Sequence, residues 1–95
     1  MEHVPYKCSV CGKTFEGGAL IVGGKILCPD CARIYEEIID ECLAEALEKM
    51  INGEKVVVDQ CLDNHANDIS RLGFSKSHFK AAILSRLARV LPRQV

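Results

Sequence analysis

The apolar residues of this chain follow two spacings in turn. Between Tyr6 and Cys31, in "YKCSVCGKTFEGGALIVGGKILCPDC", the short runs "ALIV" and "KIL" stand on either side of Gly23-Gly24. Two glycines between short apolar runs predict a tight hairpin, because both tolerate the positive φ of a primed two-residue turn. Beyond Cys28 the spacing lengthens to three and four. Tyr35, Ile39, Leu43, Ala46 and Met50 form one stripe, widened by Ile34, Ile38 and Leu47, with Glu37, Asp40, Glu41 and Glu48 on the other side. This is the period of an amphipathic helix whose apolar face is broad enough to meet more than one neighbour. Pro29 suits its first position, Asp30 complements the positive end of its dipole, and Gly53 marks its stop.

Past Gly53, Val58, Leu62, Ile69 and Leu72 fit one helical face and predict a helix over 57–72, although the valines at 56–58 suit a strand equally well. Gly73 ends that pattern. Ser75 is a good N-cap, and Phe74 before it with Phe79 after it has the arrangement of a hydrophobic staple. A last helix over 76–91 buries Phe79, Ile83, Leu87 and Val90 ahead of Pro92. The expected fold is small α+β: a cysteine-bearing module over 1–32, then a helical part over 33–95 with helices at 33–52, 57–72 and 76–91.

Ninety-five residues suffice for one small domain, whose limited core favours an additional staple. The start "MEHVP" lacks the features of a secretory signal, and no apolar run approaches the roughly 18 residues that span a bilayer. A soluble, cytoplasmic protein without membrane contact is expected. In a reducing compartment six cysteines point to metal rather than disulfides.

Four of the six stand as two CxxC pairs, Cys8/Cys11 and Cys28/Cys31. Gly12 after the first pair allows the backbone to fold back so that amide N–H groups face the sulfurs. The second pair opens a helix, whose N-terminal dipole favours thiolates. A knuckle, a hairpin and a helix beginning inside the second pair compose a treble clef, with one structural Zn2+ per chain on Cys8, Cys11, Cys28 and Cys31. An iron site of the rubredoxin kind calls for a glycine after both pairs, whereas Ala32 follows Cys31. A dithiol enzyme would carry a βαβ pattern, which neither pair has.

Cys42 and Cys61 lie on apolar helical faces and are expected in the core. Cys61 and His65 are one helical turn apart, so they could share a second metal site whose other ligands the sequence does not name. Four sulfurs on one ion leave no position for a reactive water, and no Ser/His/Asp set accompanies them, so neither catalysis nor a small-molecule substrate is expected.

At these residues the chain resembles the second zinc half of a LIM domain, with a CxxC, a Gly-rich hairpin and a second CxxC opening a helix. It is also similar to the N-terminal zinc-binding domain of the ClpX unfoldase, down to "CGK" and the Ile-rich helix after the second pair. Both resemblances cover about the first 45 residues and imply a zinc-held protein-interaction module, the ClpX type being dimeric. Farther on, "NDISRLGFSKSHFKAAILSRL" resembles a helix-turn-helix in its "LGFSKS" turn. It departs from that pattern in having Asp68 and Ile69 where an aliphatic-Ala pair is usual.

Charge sharpens the choice between partners. Residues 1–70 carry six Lys/Arg and thirteen Asp/Glu, a formal −7, while residues 71–95 carry six Lys/Arg and no acid. Such a segment meets an anionic partner or the acidic body itself. The first expectation is a zinc-stabilised, transcription-regulator-like protein binding DNA. Lys76, Ser77 and Lys80 would face the major groove, and Arg86, Arg89 and Arg93 the phosphates. The alternative is an adaptor or inhibitor for a protein partner, or a homodimer, using Tyr35, Ile39, Leu43, Ala46 and Met50 as its interaction surface.

Overall fold

A computed structural model describes residues 5–90, the side chain of Val90 excepted. Two small antiparallel hairpins come first. Strands β1 (Tyr6–Lys7) and β2 (Thr14–Phe15) pair Tyr6 with Phe15, and β3 (Leu20–Val22) and β4 (Lys25–Leu27) pair Val22 with Lys25. Only Gly23 and Gly24 separate β3 from β4, with φ of 57° and 76°, as a primed turn requires.

Helix α1 (Pro29–Ile51) follows, with Pro29 in its first turn and Asp30 beside it. It ends as the sequence predicts. The Gly53 N–H donates to the Met50 carbonyl and the Glu54 N–H to that of Lys49, the paired bonds of a Schellman motif. Because α1 begins at Pro29, the boundary expected at 32/33 falls inside one continuous helix. Residues 54–58 are neither strand nor helix.

The helix expected over 57–72 is two helices, α2 (Asp59–Asn64) and α3 (Ala66–Leu72), broken at His65. There the backbone takes φ −106° and ψ 16°, and the His65 N–H bonds to the Leu62 carbonyl three residues back. The His65 ring is held at the break by the Glu41 carboxylate of α1. The apolar pattern continues across it, which is why periodicity alone does not expose it.

Gly73 closes α3 in the left-handed region, φ 78°, and a Cβ there would also collide with Lys25 Nζ. Helix α4 (Lys76–Val90) starts at the expected cap: Ser75 Oγ accepts from the His78 N–H at 3.2 Å. Phe74 and Phe79 meet edge to face at 5.9 Å, the expected staple. Leu91, the expected end of this helix, and the Val90 side chain lie outside the described residues.

The core lies between α1 and the three shorter helices and runs on under β4. Leu27, Ile38, Ile39, Leu62, Leu72, Phe79 and Ile83 are fully buried. Tyr35 is its polar exception, packed on Phe79 at 4.9 Å and hydrogen-bonded through its hydroxyl to His78 Nε2 at 2.8 Å. The stripe expected as an interaction surface is therefore interior. Tyr35, Ile39 and Ala46 are buried, and Leu43 and Met50 are half-buried against the same core. Its breadth is explained by α2, α3 and α4 all packing on α1.

Candidate metal centre

Local backbone geometry assembles the four paired cysteines. After β1 the chain turns sharply: the Gly12 N–H donates to the Cys8 carbonyl at 3.0 Å, and the Cys8 N–H to that of Lys13 at 2.9 Å. This turn aims the Val10 and Cys11 amides at Cys8 Sγ, at 3.4 and 3.5 Å. Ser9 ties the turn to β4, its N–H donating to the Ile26 carbonyl and its Oγ accepting from the Ile26 N–H. β4 then delivers Cys28 to the head of α1, and Cys31 follows one turn later.

The four Sγ atoms all lie within 4.8 Å of one another. Cys8 to Cys31 and Cys11 to Cys28 are each 3.7 Å apart. Four thiolates about 2.3 Å from a central ion would form tetrahedron edges of about 3.8 Å, which these two separations match. Cys8, Cys28 and Cys31 are buried and Cys11 reaches the surface. The cluster could hold a metal ion.

Its electrostatics agree. Burial opposes ionisation of Cys8, but the amides of Cys11, Cys28 and Val10 outweigh it and bring the thiol down to about 6. Cys31 is pushed well up, by burial first and then by the neighbouring thiols. Cys11 is also raised: its bond to the Lys13 backbone acts downward, and the Cys8 side chain and burial act upward. At pH 7.5 Cys11 and Cys31 therefore carry protons, and an ion taking all four as thiolates must expel at least two. The calorimetric enthalpy of zinc binding is expected to differ between phosphate and Tris by at least twice the difference between the two buffers' ionisation enthalpies. Affinity falls as pH falls, because protons then compete with the ion. An enthalpy independent of buffer would exclude a thiol-based site.

Cys42 and Cys61 are buried, as expected, but joined to each other in a disulfide between α1 and α2, with Cα atoms 5.7 Å apart. This corrects the expectation that all six cysteines remain thiols. Sequence spacing missed the pair because 19 residues separate its members and only the packing of α2 on α1 brings them together.

The cations expected at a nucleic-acid surface are mostly engaged within the chain. Lys76 pairs with Asp63 at 2.9 Å and Asp59 at 3.8 Å, and Lys80 pairs with Asp59 at 3.2 Å. The Asp63 bond holds the Lys76 ammonium charged beyond the ordinary lysine range. Arg86 lies 3.8 Å from Glu36. Ser77 and Arg89 are exposed on α4, and Arg93 lies outside the described residues. The basic segment thus meets the acidic body, one of the two outcomes its charge allowed.

Among the described residues no helix is long and apolar enough to cross a membrane. Comparison with models of known protein families, with curated proteins and with solved structures finds no match to this chain. The resemblance to LIM and ClpX modules expected from the sequence has no match behind it, and what stands is the cluster of Cys8, Cys11, Cys28 and Cys31.

Proposed function

We propose that this chain is a small zinc-held adaptor that binds an apolar segment of a protein partner. In this proposal Cys8, Cys11, Cys28 and Cys31 carry one structural Zn2+ in a treble clef, since a donor set of four closely grouped cysteine sulfurs suits zinc. A shell completed by four sulfurs leaves no position for substrate or water, so no reaction is assigned to it.

The observation that carries the adaptor proposal is a cleft of ≈ 380 Å3 where the 54–58 segment passes α4, lined by Val56, Val57, Val58 and Leu84 together with the charged Lys55, Asp59 and Lys80. Val57 and Leu84 are 40% and 43% exposed, a pairing of apolar side chains that solvent does not favour. Binding of duplex DNA by α4 is the less supported proposal. Asp59 and Asp63 stand beside Lys76 and Lys80, where they oppose an approaching phosphate.

A photoreactive residue placed at position 57 is expected to crosslink to a protein in nuclease-treated lysate. Leu84→Glu, an exposed substitution that leaves the core intact, should lower that yield at least tenfold. Duplex binding that weakens steeply with salt, without any protein crosslink, would replace the adaptor proposal with the nucleic-acid one.

A further inference from the structure

The disulfide has a neighbour that its structural role does not explain. A ring nitrogen of His65 and the sulfurs of Cys42 and Cys61 all lie within 4.8 Å of one another. The two cysteines are buried and the histidine half-buried. They come from three places in the fold: Cys42 from α1, Cys61 from α2, and His65 from the break before α3. The His65 Nε2 is paired with the Glu41 carboxylate, one residue before Cys42. A carboxylate that orients a histidine is the usual outer support of an imidazole metal ligand. A cleft of ≈ 410 Å3, lined by Ile34, Glu37, Ile38, Glu41, His65 and Asp68, opens beside the ring. Three carboxylates around this opening attract a cation toward it.

The geometry points to a second metal site, Cys42, Cys61 and His65, that takes a borderline-soft divalent cation such as Zn2+ when its two cysteines are reduced. Two thiolates and an imidazole form a common zinc donor set, and a fourth position is left to water from the cleft. Glu41 is a positioning residue that acts through His65.

Disulfide and metal exclude each other, because both use the same two sulfurs. Loading the reduced pair releases two thiol protons as two metal–sulfur bonds form. A dithiol reductant opens the disulfide to the two thiols and is itself oxidised to a disulfide, and a peroxide takes the loaded site back. Zn(SR)2 + H2O2 + 2 H+ gives RS–SR + Zn2+ + 2 H2O, with the sulfurs losing two electrons and the peroxide oxygens gaining them. The state of this pair would thus report oxidant as release of one ion.

Native mass spectrometry of the full chain, reduced and titrated anaerobically with Zn2+, is expected to count two ions. His65→Ala should weaken the second ion at least a hundredfold while leaving the first unchanged, and Glu41→Ala should weaken it about tenfold to a hundredfold. Neither substitution touches a core side chain, so both variants should keep the wild-type circular dichroism. With Co2+ the second equivalent should show the weaker sulfur-to-metal charge transfer of a two-thiolate site. One equivalent of peroxide should release one Zn2+ and join Cys42 to Cys61 in the peptide map. A reduced chain that holds one ion, or a second ion indifferent to both His65→Ala and Glu41→Ala, would overturn the proposal. So would peroxide release of zinc with the new disulfide mapped to the four-cysteine cluster.

Discussion

A chelator that strips the Cys8, Cys11, Cys28 and Cys31 cluster is expected to erase amide protection across residues 6–27 and to broaden their resonances. The reason is the scarcity of other structure there. The two hairpins comprise strands of two and three residues, below the size at which a hairpin holds in water alone. Among the described residues Leu27 is the only strand residue that is fully buried, and Tyr6 and Ile21 are exposed. A structural zinc site contributes about 10–16 kcal/mol of apparent binding free energy at pH 7, more than the whole stability of many small domains. Cys28→Ser should act like the chelator, since it removes one ligand and leaves three crowded thiols, of which Cys8 and Cys31 are buried. Hydrogen exchange with and without chelator is the measurement. Protection that persists over residues 6–27 after complete metal removal would show that the hairpins stand without an ion.

Phe79→Ala is expected to unfold the helical part or bring it close to unfolding. Phe79 is fully buried and stands at the centre of an aromatic group, with Tyr35 at 4.9 Å, His78 at 5.7 Å and Phe74 at 5.9 Å. Truncation removes its buried area and leaves a cavity beside Tyr35 and Phe74. The usual cost is about 3–5 kcal/mol, against about 5–15 kcal/mol for an entire domain. Urea titration should show the midpoint falling with little change in slope. Phe74→Ala, at a half-buried site, should cost less. Equal costs would mean that the core is not centred on Phe79.

What the sequence disclosed was local. Pro29 begins a helix through its own fixed φ, and Gly53, Gly73 and Ser75 end or begin one through bonds within a few residues of themselves, so their signals are complete in a short window. The same holds for Gly23-Gly24 and for both CxxC pairs, whose spacing encodes the turn that presents the sulfurs. The undisclosed features are those made by distant partners. Cys42 finds Cys61 nineteen residues on and Glu41 finds His65 twenty-four on, both because α2 lies against α1. The pairing of Lys76 and Lys80 with Asp59 and Asp63 needs α2 beside α4. Charge segregation hinted at this last contact without saying which residues meet. The stripe on α1 was visible, but a broad apolar face looks alike whether a partner or the chain's own helices cover it.

Lys25 ties the second hairpin of the cysteine module to the turn between α3 and α4. Its Nζ donates to the Gly73 carbonyl at 2.8 Å and to that of Leu72 at 3.5 Å, and it sits 5.1 Å from the centre of the Phe74 ring. The cysteine module is consequently not portable. Excised near residue 32 and grafted elsewhere, it would leave behind an uncovered turn between α3 and α4 and take with it a severed stub of α1, so that donor and transplant alike would be damaged goods.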